Sequence, residues 1–73
     1  MMVEIYGKIN CEFCVASVEF CKENNIEYKY YHLDEDYTLM QLWEMVKFKT
    51  FPQIWVDDKH VGGYTELKEK YGS

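Results

Sequence analysis

A strand–helix–strand order in the first half of the chain limits its fold more than any other feature. Val3 and Ile5 alternate with Glu4 in a strand-like run that stops near Gly7. From Cys11 to Asn24 there is neither Gly nor Pro, and Cys14, Ser17, Val18 and Cys21 recur at the 3–4 spacing of one helix face. Asn24-Asn25 ends that helix. Ile26 to Leu33 is aromatic-rich and favours a second strand. A strand, a crossing helix and a strand in one sheet pair in parallel with a right-handed connection.

The second half adds a different pattern. Asp34-Glu35-Asp36 reads as an acidic turn, with Asp36 as the N-cap of a helix from Tyr37 to about Lys47. Leu39, Leu42, Trp43 and Val46 form its apolar stripe. Gln53–Val56 is a third strand, Asp57-Asp58 a hairpin turn and Lys59–Val61 a short fourth strand. Gly62-Gly63 breaks the sheet, and Tyr64 to about Lys70 forms a last helix ended by Gly72. The expectation is one α/β domain over residues 1–73, ordered β-α-β-α-β-β-α, with a small four-stranded mixed sheet and helices on both faces.

Charge and size exclude several classes. The net charge is −5, and all eight basic residues are Lys. Nucleic-acid binders carry a basic stripe and use Arg for phosphate and guanine, so that partner is not expected. No basic segment followed by an apolar run marks a leader, and nothing approaches the length of a membrane span. Three Cys, two of them in C-x-x-C, suit a reducing compartment, so a cytoplasmic location is expected.

Cys11 and Cys14 can close a small disulfide ring or share a metal ion. As a staple the ring is weak, constraining the unfolded chain by only roughly 2 kcal/mol. The pair is placed for chemistry. Zinc would need two further ligands from Cys21, His32 and His60, at a spacing that matches no standard zinc knuckle, so no metal is expected. Cys21 reads as a buried apolar residue, His32 and His60 as strand and sheet-end residues, and the tyrosines mostly as packing.

Three blocks resemble the glutaredoxins, of the thioredoxin fold. Lys8-Ile-Asn-Cys11-Glu-Phe-Cys14 is similar to their K/R-x-x-C-P-Y-C site. Thr50-Phe51-Pro52-Gln53-Ile54 is similar to their T-V-P-Q-I segment with its cis-proline. His60-Val61-Gly62-Gly63-Tyr64-Thr65-Glu66 is similar to their H-I-G-G segment. Glu12 and Phe13 replace the usual Pro and Tyr, and Glu66 stands where Asp is common.

The resemblance implies a redox-active Cys11–Cys14 disulfide, with Cys11 the nucleophile and Cys14 the buried resolving thiol. Cys11 at a helix start, with Lys8 three residues earlier, is favoured as a thiolate, and Glu12 opposes this. The resemblance also implies glutathione as reductant. Lys8 and Lys49 would meet its glycyl carboxylate, and Phe13 would pack beside the sulfur. The Thr50-Phe51-Pro52 segment would pair with its cysteinyl part. Gly63 would let the backbone approach the ligand closely, Tyr64 and Thr65 would offer amides to its γ-glutamyl carboxylate, and Glu66 would take the ammonium. Partners would be disulfide-containing or glutathionylated proteins, ribonucleotide reductase among them by family analogy, acted on by a monomer. The alternatives are a redoxin recharged by thioredoxin reductase, a glutathione-ligated iron–sulfur module, and a purely structural partner protein.

Overall fold

The computed structural model describes residues 1–72. Within them the order is β1 (Met2–Gly7), α1 (Glu12–Glu23), β2 (Glu27–His32), α2 (Leu39–Met45), β3 (Gln53–Val56), β4 (Lys59–Gly62) and α3 (Tyr64–Tyr71). The sheet runs β2-β1-β3-β4. β1 pairs parallel with β2, and the β1–β3 and β3–β4 pairs are antiparallel. The expected thioredoxin-like α/β architecture is the one observed.

Strand alternation divides the sheet into two chemically different faces. Val3 pairs with Val56 and Ile5 with Ile54, placing all four on one face. There they join Phe20 and Cys21 of α1 and Leu67 of α3 in the core, with Ile26, Tyr28, Tyr30 and Tyr71 packed around it. The opposite face is aromatic. Tyr6 stacks on Tyr31 at 4.7 Å and takes edge contacts from Tyr37 and Trp55 at 5.1 and 5.0 Å. Tyr37 leads into α2, whose Leu42 is fully buried.

The elements end where local chemistry ends them. At the close of α1, Asn25 adopts a left-handed φ of 56°. The N–H groups of Asn25 and Ile26 then close onto the carbonyls of Lys22 and Cys21, a Schellman arrangement. Asp57 and Asp58, with φ of 49° and 68°, make the tight primed turn of the β3–β4 hairpin.

Two sequence expectations need correction. Asp36 does not cap α2; its carboxylate accepts from the His32 N–H at 2.7 Å and so closes the preceding turn. The cap is Thr38, which exchanges side-chain and backbone hydrogen bonds with Gln41 in a capping box, so α2 starts later than expected and is shorter. Leu39 accordingly lies at the margin of the apolar stripe, partly exposed. The fourth strand also reaches one residue further. Ile54 pairs with Gly62 while Trp55 pairs with His60, leaving Val61 as the extra residue of a bulge.

Burial and capping make a graded stability prediction. Leu67→Ala, at a fully buried core site, should cost about 3 kcal/mol. Thr38→Ala should cost only about 1 kcal/mol. Urea titration of the two variants checks the order, which an equal loss would contradict.

Candidate active site

The end of β1 and the start of α1 put two thiols in contrasting surroundings. Cys11 is the N-cap of α1, with extended backbone at φ −123° and ψ 106°. The residue is partly buried, and its sulfur accepts from the Cys14 N–H at 3.3 Å, standing in for the oxygen of an ordinary cap. Cys14, one turn on, is 1% exposed and faces the sheet. Burial, and then the hydrogen bond to Cys11, push its thiol up to about 11, against the lowering effect of the Lys8 N–H and the Tyr30 hydroxyl. Cys21 lies on the same buried face in the core, and burial pushes its thiol up to about 11 as well. All three cysteines are free thiols.

Each pair of the three sequence blocks shares a contact. The Lys8 ammonium lies over the Phe51 ring, 5.2 Å from its centroid, joining the first block to the second. Phe13, 57% exposed, stacks on Tyr64 at 5.9 Å and joins the first to the third. A Cβ added to Gly63 would lie 3.2 Å from the Pro52 carbonyl oxygen, so the second and third meet at close backbone range. The Phe51–Pro52 bond is cis and Pro52 is buried. These contacts join Lys8, Phe13, Phe51, Pro52, Gly63 and Tyr64 into one connected cluster.

The remaining predicted residues fall at the edges of this arrangement. Lys49 and Thr50 are exposed on the loop before Pro52, and Thr65 is exposed in the first turn of α3. One carboxylate oxygen of Glu66 is already engaged, accepting from the Gly63 N–H at 2.7 Å as half of a capping box. Gly62, at φ 122°, suits this cap doubly. The conformation strains any side chain, and a Cβ there would lie 2.8 Å from the Glu66 side chain. Glu12 is exposed in the first turn of α1. Lys8, Cys11 and Glu12 also line a cavity of about 740 Å³, whose apolar walls are Ile9, Val15, Val18, Tyr28 and Tyr30.

Sequence reading missed the groups that hold these loops. The Gln53 side chain, buried beneath the Phe48–Thr50 loop, donates to the carbonyls of Phe48 and Thr50, each at 2.9 Å. Its oxygen meets His60 Nε2 at 2.7 Å. His60 is therefore a bracing residue, its ring also tilted against Trp55 at 4.7 Å. His32 packs on Tyr30. Among the described residues no group of three or more His, Cys, Asp or Glu is arranged to hold a metal ion. At the end of β1, the Tyr37 hydroxyl donates to the Gly7 carbonyl at 2.7 Å and the Tyr30 hydroxyl to that of Lys8 at 3.3 Å. Parallel strand pairing was the available signal, since it aligns Tyr30 with Ile5 and His32 with Gly7.

Comparison with known proteins matches this arrangement to one family. The glutaredoxin family model covers residues 3–61. Glutaredoxin 1 of Salmonella typhimurium is 33% identical over 76 aligned residues, spanning 93% of this chain and 87% of its own. The crystal structure of glutaredoxin 1 from Francisella tularensis superposes with a TM-score of 0.81 at 33% identity, over 97% of this chain and 92% of that one. A buckwheat glutaredoxin, crystallised as its glutathione complex, shares the fold with a TM-score of 0.84 at 20% identity, over 96% of this chain and 67% of its own.

The raised Cys21 thiol makes stability depend on alkaline pH. A thiol that titrates at its ordinary value near 9.0 when unfolded and at about 11 when folded stabilises the fold below the first value. That contribution is lost as pH rises through the second. Cys21→Ala lowers stability at every pH by removing volume, but the decline of the urea midpoint between about pH 8 and about pH 11 should become shallower in the reduced protein. Parallel curves would reject the assignment.

Proposed function

The chain belongs to the glutaredoxin family, a family of thiol–disulfide oxidoreductases, and on that footing we propose a glutathione-dependent dithiol enzyme. It reduces protein disulfides and removes glutathione from mixed disulfides. The observation that carries this reading is the asymmetry of the two thiols, one on a partly buried residue at a helix start, the other buried and held protonated.

In the proposed cycle Cys11 attacks a disulfide of the substrate. A glutathionylated substrate leaves as its thiol, and the glutathionyl group stays on Cys11. A second glutathione then displaces it as glutathione disulfide. With a protein disulfide, Cys14 displaces the substrate from Cys11 and closes the Cys11–Cys14 ring, which two glutathione molecules reopen. Burial of Cys14 keeps it protonated and out of competition until the mixed disulfide brings an electrophilic sulfur beside it.

Glutathione is proposed to lie in the groove between Phe51-Pro52 and the Phe13–Tyr64 wall. Lys8, already over Phe51, meets the glycyl carboxylate with Lys49 beside it. The backbone of Thr50 and Phe51 pairs with the cysteinyl portion. The N–H groups of Tyr64 and Thr65, at the unpaired end of α3, take the γ-glutamyl carboxylate. Glu66 has one oxygen on Gly63, leaving the other for the ammonium. That a buckwheat glutaredoxin of the same fold forms a glutathione complex supports glutathione as the ligand. A monomer working in the cytoplasm, with ribonucleotide reductase among its acceptors, fits the same reading.

Turnover coupled to glutathione, glutathione reductase and NADPH tests it with a glutathionylated protein and with a protein disulfide. Cys11→Ser should lose both reactions. Cys14→Ser should keep removal of glutathione and lose reduction of the protein disulfide. Recycling by thioredoxin reductase but not by glutathione would overturn the assignment of the reductant.

A further inference from the structure

Pairing of β1 with β2 sets a tyrosine hydroxyl against the resolving thiol, a contact the cycle above leaves without a role. Tyr30 pairs with Ile5, two residues before the pairing of Gly7 with His32, and stands on the core side of the sheet beneath α1. Its ring is steadied by the His32 ring at 4.5 Å. The Tyr30 hydroxyl and Cys14 Sγ converge on the same side of Gly7. A Cβ there would overlap the hydroxyl and come within 2.9 Å of the sulfur. Only a residue without a side chain lets the two meet.

The hydroxyl proton is loosely held. Tyr30 donates to the Lys8 carbonyl at 3.3 Å, which is long against the roughly 2.7–2.8 Å usual for O–H···O. The neighbouring Gly7 carbonyl, by contrast, is firmly engaged by Tyr37 at 2.7 Å. Rotation about the phenolic C–O bond would turn the Tyr30 proton from the carbonyl toward the Cys14 sulfur, on the same side of Gly7.

We propose that the Tyr30 hydroxyl is a catalytic hydrogen-bond donor, turning from the Lys8 carbonyl to Cys14 Sγ whenever that sulfur carries negative charge. The inference rests on the dithiol reading of Cys11 and Cys14. Charge reaches Cys14 in both directions of the cycle. When the ring opens, an incoming thiolate bonds to Cys11 Sγ, and the Cys11–Cys14 bond breaks with its electron pair on Cys14. Cys14 then takes up from solvent a proton equivalent to the one the incoming thiol released. When the ring closes, Cys14 gives up its proton and its electron pair forms the bond to Cys11. The displaced substrate sulfur leaves with the old bonding pair and accepts a proton.

Charge on this sulfur is otherwise costly, since burial holds the thiol at about 11. Tyr30 keeps its own proton, because burial and the adjacent Cys14 push the phenol well above its ordinary range. It is therefore a donor throughout the cycle and never a competing base. Exchange rates follow the stability of the departing thiolate, so a donor aimed at the leaving sulfur speeds ring opening.

The test isolates opening of the ring. Oxidised wild type and Tyr30→Phe are mixed with dithiothreitol, and disulfide remaining after acid quench is followed by mass spectrometry. The expected result is opening slowed about fivefold to tenfold in Tyr30→Phe, the scale of one lost hydrogen bond of ordinary strength. Alkylation of Cys11 by iodoacetamide in the reduced protein should keep its wild-type rate. Equal opening rates would overturn the inference, as would a loss matched by equally slowed alkylation of Cys11, which marks a merely structural role. Dithiothreitol separates this from the choice of reductant. If oxidation of wild type yields no Cys11–Cys14 bond, the dithiol reading fails and takes the inference with it. A normal bond that opens equally fast in both proteins removes the inference alone.

Discussion

Parallel pairing of β1 with β2 decides where every reactive group can lie. To bring β2 alongside β1 in the same direction, the chain must cross back over the sheet, and α1 is that crossing. Its first turn is thereby delivered to the carboxyl end of β1, where α/β sheets open their crevices. Cys11 is left outside as the cap, and Cys14, one turn further, is driven down onto Gly7 and Tyr30. The difference between the two sulfurs follows from the geometry of one helix start on one strand end. No charged partner is needed to bury and neutralise the second thiol, because desolvation is the first cause of its shift.

A core this small cannot also hold three loops by burial. The largest fully buried side chains are Ile5, Leu42, Ile54, Leu67 and Val3, nearly all beneath the sheet's helical face. The loops are held instead by specific polar and aromatic contacts. Gln53 spans from the Phe48–Thr50 loop to His60 on β4, so a single amide ties the segment before Pro52 to the strand leading into Gly62-Gly63. Lys8 over Phe51 and Phe13 on Tyr64 then bind these segments to the thiol loop. Each such contact contributes roughly 0.5–1.5 kcal/mol. They are enough to hold the three segments together where burial alone would not.

Legibility of the sequence followed how local each signal was. Alternation at Val3 and Ile5, the uninterrupted stretch after Cys11 and the Asp57-Asp58 turn are short-range patterns, and the elements they imply are present. The cap of α2 falls on Thr38, not on the expected Asp36. An Asp suits a helix end by its charge, but the Asp36 carboxylate is used by the His32 N–H. Thr38 wins because Gln41, three residues on, can complete the box. Spaced motifs singled out Cys11, Cys14, Pro52 and Gly63. Tyr30, Tyr37, Gln53 and His60 were not legible as functional neighbours, since each acts across the sheet or between loops. A tyrosine among seven carries no mark of the sulfur it faces until strand register is known.

The two unusual residues between the cysteines fit the same account. At position 12 the related proteins carry Pro, whose fixed φ suits the first residue of a helix. Glu12 serves the helix otherwise, by placing a carboxylate at the positive end of the dipole. That carboxylate shares the helix end with the Cys11 sulfur, and the exposure of Glu12 to solvent weakens its effect there. At position 13 the hydroxyl of the usual Tyr is missing, yet the wall of the groove needs only the ring, and the Phe13 ring stacks on Tyr64 within 23° of parallel. What the fold demands between the thiols is a helical first turn and a flat aromatic face. Glu12 and Phe13 supply both, leaving the proton traffic to groups on the strands below.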